Sequence, residues 1–173
     1  MRIAFFGPLN PVPSGISDYD EELLPLLRQR YHVDVFTSDR PANRDGVYPH
    51  GVFIAQNRRN PYDLTLYQLG NSLVHEIEYG YLFRYPGAVV FHDYCLHHAR
   101  AKMLLLKGMN EEYLQEARRV HPEEPRLGTS VFGGMAGDLL LYYYPFVRLV
   151  LESSLAAATH TDYVAEKLRI TDT

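Results

Sequence analysis

Short apolar runs separated by amphipathic stretches dominate the first half of the chain. Five of these runs predict strands, because they are rich in β-branched and aromatic residues and end at glycine, proline or polar residues. They span residues 2–6, 32–37, 52–55, 62–67 and 89–91. Helical patterns lie between several of them, and strands that alternate with helices predict βαβ units. We therefore expect an α/β fold with a mostly parallel sheet flanked by helices.

The second half of the chain has a mainly helical pattern. The predicted helices span residues 96–108, 111–120, 131–144 and 146–157, with a proline-bearing break at 121–129. A short strand at 157–161 and the start of a helix at 162–168 follow. Because an α/β domain rarely ends by starting a new unit, we expect residues 1–173 to be one domain of a larger arrangement.

A loop rich in proline and glycine connects the first predicted strand to the first helix. Gly7 ends the strand, Ser17 is predicted to cap the helix, and Pro25 predicts a kink or a helix in two pieces. A glycine turn before a helix N-terminus can hold an anion with backbone N–H groups. The alternative is that Gly15 only makes a turn, since neither a dinucleotide fingerprint nor a P-loop motif is present.

Composition indicates which classes of partner and which cellular compartment suit this chain. The 173 residues carry a formal net charge of −4, which argues against nucleic acid as the main partner. A single cysteine precludes an intrachain disulfide and indicates a reducing compartment. The strand pattern begins at Met1 without a signal peptide before it, so we expect a cytoplasmic protein.

Polar residues follow the first, fourth and fifth predicted strands. The carboxyl ends of parallel strands meet at one edge of a sheet, where ligands bind in open α/β folds. We therefore expect these loops to form a site. Their polar residues and glycines are Asn10, Ser14, Gly15, Gln68, Gly70, Asn71, His92, Asp93, His97 and His98.

His92 and Asp93, directly after a buried strand, admit three interpretations. His92 can be a strand-end side chain satisfied by a nearby carbonyl, or a general base or hydrogen-bonding group for a substrate hydroxyl. A metal site with His97 and His98 is the third. Asp-x-x-x-His-His matches none of the usual zinc spacings, so we predict no metal.

Two further features receive structural interpretations. The run at residues 142–144 contains three tyrosines and can be an aromatic binding surface, but we expect helical core with an amphipathic rim. Cys95 lies within the segment after His92, and we expect a buried, inert thiol.

Four segments in the same order resemble a bacterial glycosyltransferase of family four with the GT-B fold. Residues 1–19 (MRIAFFGPLNPVPSGISDY) resemble the opening of such enzymes. Residues 67–75 (YQLGNSLVH) and 86–98 (PGAVVFHDYCLHH) resemble two further landmarks of the N-terminal domain. Residues 161–165 (TDYVA) resemble the segment in which the first domain ends.

The resemblance implies two Rossmann-like domains facing a cleft, with this chain as the N-terminal, acceptor-side domain. Such enzymes move a sugar from a nucleotide-sugar to a sugar or lipid-linked acceptor with retention of configuration, without a cofactor and usually without a catalytic metal. It implies that the donor diphosphate lies near Ser14, Gly15 and Ile16. It also implies that His92 faces the donor sugar and that Asn71 and Asp93 line the cleft.

One departure concerns the donor side. The family's second domain carries a motif with two glutamates and most nucleotide contacts, and Glu152 and Glu166 lie within the first-domain pattern. We therefore expect little transfer by this chain alone, and a missing C-terminal domain or a partner subunit to supply the rest.

Two alternatives to that function stay open. One is a stand-alone Rossmann-like binding module that pairs with a separate chain, and the other is a metal-dependent hydrolase using His92, Asp93 and His98. Peripheral contact with the inner face of a membrane is a further possibility. Basic residues of the middle helices are interleaved with glutamates, which favours a solvated helical face.

Overall fold

The computed structural model describes residues 1–37, 44–134, 137 and 139–171. The strands are β1 (Arg2–Phe6), β2 (His32–Thr37), β3 (Val47–Pro49), β4 (Leu64–Leu69), β5 (Ala88–Phe91) and β6 (Ala156–Thr159). The helices of the first half are α1 (Gly15–Arg28), α2 (Phe53–Arg59), α3 (Glu76–Leu82) and α4 (His97–Leu105). Those of the second half are α5 (Asn110–Val120), α6 (Leu127–Phe132), α7 (Leu139–Tyr143), α8 (Arg148–Glu152) and α9 (Asp162–Thr171).

The described strands form one six-stranded sheet in the order β3-β2-β1-β4-β5-β6, and every neighbouring pair is parallel. The expected α/β fold with a parallel, Rossmann-like sheet is therefore confirmed. The order reverses at β1, which pairs with β2 on one side and β4 on the other. Where the strand order of a parallel sheet reverses, the connections from the two central strands run to opposite sides of the sheet. The loops after β1 and β4 therefore open a crevice between them at the carboxyl edge.

Alternation along β1 places its side chains in two separate cores. Phe5 packs with Leu24 of α1 on one face of the sheet. Phe6 lies on the other face, and its ring centroid is 5.2 Å from that of Phe36, 5.0 Å from that of Phe53 and 5.1 Å from that of Tyr67. Because both faces of the strand are buried, β1 reads in the sequence as a continuous apolar run.

The predicted strand at residues 52–55 is wrong. His50–Val52 forms a 3₁₀ turn, and the chain continues into α2, whose Phe53 is fully buried in the aromatic core. The strand at this position in the chain is instead β3, which adds to β2 at the edge of the sheet. A short apolar run fits a buried helical turn as well as a strand, so periodicity alone could not separate the two.

Two expectations for α1 need correction. Ser14, not Ser17, is the N-cap, because its side chain accepts a hydrogen bond from the N–H of Ile16 while the Ser17 hydroxyl donates to the carbonyl of Val12. The helix is not split in two at the exposed Pro25, and the alternative of a kink there stays a prediction. Burial of Leu24 beside the proline holds the helix against the sheet across this position.

The predicted helix at residues 131–144 is interrupted. Helix α6 starts earlier than expected, inside the predicted break, and ends before Gly134, whose φ of 64° favours glycine and stops a helix. Residues 135, 136 and 138 lie outside the described part of the chain. The predicted helix at 146–157 is reduced to α8, and the predicted last strand is β6.

The core interpretation of the tyrosine run is wrong for two of its three members. Tyr142 is 62% exposed and Tyr143 is 82% exposed, and none of the residues of the short helix α7 is buried. Within the described residues, no helix is both long and apolar enough to cross a bilayer.

Candidate functional site

Three loops meet at the carboxyl edge of the sheet around Gly70. A Cβ atom at this position would lie 2.6 Å from Cδ1 of Ile16, 3.0 Å from Nε2 of His75 and 3.2 Å from Oδ2 of Asp93. These neighbours come from α1, the loop after β4 and the loop after β5. The absence of a side chain at Gly70 therefore allows the three loops to close on one another.

His92 is half-buried at the centre of this edge. Its Nε2 lies 2.7 Å from Oε1 of Gln68, the fully buried residue near the end of β4. Burial, together with a smaller effect of the neighbouring His160, lowers the pKa of His92 to about 4, while Asp93 acts in the opposite direction. The imidazole is thus neutral at pH 7 and keeps one nitrogen with a lone pair.

Two residues that the sequence analysis did not single out touch the His92 ring. The ring of Tyr19 packs edge-on against that of His92 with centroids 5.0 Å apart, and the ring of His160 lies at 4.7 Å. His160 comes directly after β6, so its position after a predicted strand could have placed it at this edge. Tyr19 lies one turn into α1, where the sequence offers no comparable signal.

Asn71 and Asp93 lie at this edge and connect its loops. Oδ2 of Asp93 accepts a hydrogen bond from the backbone N–H of Asn71 at 2.7 Å. Oδ1 of Asn71 accepts one from the N–H of Ala99 at 2.9 Å, in the first turn of α4. Both side chains therefore hold the framework around His92, and their predicted contact with substrate stays a prediction.

The loop formed by Ser14, Gly15 and Ile16 closes the site on the side of α1. Oγ of Ser14 accepts from the N–H of Ile16 at 3.2 Å, and its carbonyl accepts from the N–H of Ser17 at 3.0 Å. Gly15 is exposed, and no atom lies within 4 Å of the position a Cβ would take there. There is therefore open space over Gly15, while the N–H of Ile16 is occupied by the Ser14 side chain.

The two remaining histidines of the segment do not share the surroundings of His92. Nε2 of His97 lies 2.8 Å from the Tyr113 hydroxyl, and its ring stacks on Phe146 with centroids 3.8 Å apart. His98 packs against Tyr142 at 4.7 Å, and its Nδ1 lies 3.4 Å from Nδ2 of Asn71. The proposed metal ligands therefore do not converge, and the described residues contain no group of three or more histidine, cysteine or acidic side chains placed to hold a metal.

The Cys95 thiol is half-buried rather than fully buried. Its Sγ donates to the carbonyl of Leu141 at 2.9 Å, and burial raises its pKa. A raised pKa lowers the thiolate fraction, which makes this thiol a poor nucleophile.

A buried polar cluster lies behind the site. Asp20 of α1 and Glu78 of α3 are almost completely buried, and burial raises the pKa of Asp20 to about 9 and that of Glu78 to about 8. Burial lowers the pKa of the nearby His75 to about 4. At pH 7 all three groups are neutral, so this cluster itself places no full charge behind the loop of Gly15.

Comparison with protein-family models, curated proteins and solved structures found no match to this chain.

Proposed function

We propose that this chain is the N-terminal, acceptor-side domain of a retaining glycosyltransferase that moves a sugar from a nucleotide-sugar to an acceptor. The observation that supports this most is the position of His92: a neutral imidazole at the carboxyl edge of a parallel sheet, held by Gln68 and packed against Tyr19 of the helix that begins at the exposed Gly15. The ordered resemblance of four sequence segments supports the same function.

The loop of Ser14, Gly15 and Ile16 would receive the donor diphosphate. Backbone N–H groups at the start of α1 suit phosphate oxygens, and the helix dipole adds roughly 0.3–1 kcal/mol for an exposed anion. The neutral state of Asp20 and Glu78 removes two negative charges that would oppose the anion, while Asp18 stays in the first turn of α1.

His92 would hold a hydroxyl group of the donor sugar while the bond to the leaving diphosphate breaks. With its pKa lowered to about 4, His92 is a neutral imidazole at pH 7 and not a cationic acid, so its role is to accept a hydrogen bond on its free nitrogen and orient the sugar. Tyr19 and His160 border the same place and would pack against the sugar ring. In such enzymes most donor contacts come from a second domain, and we propose that a C-terminal domain or a partner subunit supplies them here.

A titration of the isotopically labelled 173-residue chain with UDP-, GDP-, ADP- and dTDP-sugars tests this proposal. We expect one nucleotide-sugar to shift the backbone signals of Gly15 and Ile16 together with the ring signals of His92, and Gly108 on the far side of α4 to serve as an unshifted control. Shifts that avoid both Gly15 and His92 for every donor would contradict it. In a complete enzyme, substitution His92→Ala should abolish most transfer.

One observation favours a second candidate function, a binding module that pairs with a separate polypeptide. Strand β6 lies at the edge of the sheet, where Leu155 is 72% exposed and the three alanines that follow it are exposed as well. Sedimentation with polypeptides encoded beside this chain would detect such a pair, and Leu155→Glu should weaken it. The absence of any complex would count against this candidate.

A further inference from the structure

Gln68 joins the interior of the sheet to the ring of His92. It lies on β4 opposite Val90 of β5, with none of its surface exposed. Its Cγ would lie 3.1 Å from a Cβ atom at Gly7, so the glycine that ends β1 leaves the space in which the Gln68 side chain runs. From there Oε1 reaches to 2.7 Å from Nε2 of His92. Among the described residues, the buried Nε2 of Gln68 has no hydrogen-bond partner, so the contact of Oε1 with His92 is the one side-chain hydrogen bond that Gln68 makes.

We propose that Gln68 is a positioning residue that holds His92 as the Nε2–H tautomer and thereby presents the Nδ1 lone pair to a hydroxyl-bearing ligand. An amide oxygen only accepts hydrogen bonds, so the nitrogen beside it must carry the proton. A neutral imidazole has one N–H, and Nδ1 is then the acceptor. Among the hydrogen bonds of the described residues, Nδ1 of His92 has no partner.

The neutral amide also suits a ring that must stay uncharged. A carboxylate at the position of Gln68 would favour the imidazolium form. The other groups that face the ring come from every side of the edge: Tyr19 from α1, His75 after β4, Asp93 in the same loop, and His160 after β6. His160 disfavours a positive charge on His92 and Asp93 favours it, while His92 in turn lowers the pKa of His75.

The tautomer decides the class of ligand group that His92 can hold. A ring that offers a lone pair binds a hydrogen-bond donor such as a sugar or polyol hydroxyl, and it has no proton for a phosphate oxygen at this position. His92 would thus bind the hydroxyl group of the ligand, and the loop of Gly15 would bind its phosphate. The tautomer assignment stands independently, and the identification of the hydroxyl as a sugar hydroxyl rests on the proposed function.

Long-range ¹H–¹⁵N correlation spectra of the labelled chain at pH 7 test the assignment without any ligand. The variant His92→Gln identifies the ring signals among those of the other histidines. In the unsubstituted protein we expect a protonated Nε2, an unprotonated Nδ1, and a slowly exchanging Nε2–H. A proton on Nδ1 would overturn the proposal.

Two variants at Gln68 probe the contact, and neither readout depends on activity. Gln68→Met keeps the length but removes the acceptor, and the Nε2–H should exchange faster by about tenfold or more. Gln68→Glu should either raise the pKa of His92 by about one unit or more, if ionised, or move the ring proton to Nδ1, if protonated.

Gln115→Met on the exposed surface of α5 is the matched control, and it should leave the His92 signals unchanged. Each Gln68 variant has its own readout. If Gln68→Met does not fold, the His92 pKa and ring signals in Gln68→Glu still test the contact. If the His92 ring signals and their pKa do not change in Gln68→Glu, Gln68 does not position His92.

Discussion

Oδ2 of Asp93 and the backbone N–H of Asn71 lie 2.7 Å apart, and this hydrogen bond joins the loop after β5 to the loop after β4. His92 directly precedes Asp93, so the same hydrogen bond also stabilises the backbone of the loop that carries the His92 side chain. Its removal by Asp93→Ala should lower the free energy of unfolding by about 1 kcal/mol. Urea unfolding of the variant measures this.

Asp93→Asn serves as the control for that experiment. Its amide oxygen can still accept from the N–H of Asn71, so at least half of the stability lost in Asp93→Ala should return. Equal losses in the two variants would show that charge, rather than this hydrogen bond, is what Asp93 supplies.

Gly70→Ala should destabilise the protein by about 1–3 kcal/mol, because the added methyl group meets Ile16, His75 and Asp93 in a space that has no room for it. Gly80→Ala in α3 is the matched control. No atom lies within 4 Å of the Cβ position there, and alanine favours a helix over glycine by up to about 1 kcal/mol. Thermal or urea unfolding of both variants should shift in opposite directions. A neutral Gly70→Ala would mean that the three loops are loosely joined.

Asp20→Asn should stabilise the protein increasingly as the pH rises. Burial raises the pKa of Asp20 from 3.8 to about 9 in the folded chain. Between these values the unfolded chain has released a proton that the folded chain keeps, so the contribution of Asp20 to stability falls with rising pH. Asparagine has no such proton, and the gap between variant and parent should widen up to about pH 9 and then level off.

Urea unfolding at pH 5, 7 and 9 measures this gap. Burial raises the pKa of Glu78 to about 8. Glu78→Gln should therefore also stabilise the protein increasingly with pH, but this gain should level off near pH 8. Parallel stability profiles for Asp20→Asn and the parent would show that Asp20 is ionised in the folded protein.

His160→Gln should raise the pKa of His92 above its value of about 4, because a neighbouring imidazole that can become positive is removed. An NMR titration of the His92 ring protons follows this directly. Replacement of the exposed His32, which lies on β2 away from the ring, is the control and should leave the His92 titration unchanged. If the His92 pKa does not rise in His160→Gln, His160 does not oppose a positive charge on His92.

The α/β class and most strands could be predicted because their signals are local. Strands β1 and β2 match the predicted bounds, and β4, β5 and β6 differ from them by one or two residues. Buried parallel strands are apolar on both faces, so each can be recognised in the sequence as a continuous apolar run of a few residues. The prediction failed at α2, where Phe53 starts an apolar run too short to show a period, and at Tyr142 and Tyr143, whose exposure depends on what packs against α7.

The sequence by itself also determined that His92 follows a buried strand, and therefore the edge of the sheet at which it lies. Only the tertiary structure decided which side chains face its ring. Gln68 is distant in sequence from His92, and Tyr19 and His160 lie near opposite ends of the chain. Their meeting depends on the strand order and on close approach at Gly7 and Gly70, and the burial that makes Asp20, Glu78 and His92 neutral exists only after those elements have packed.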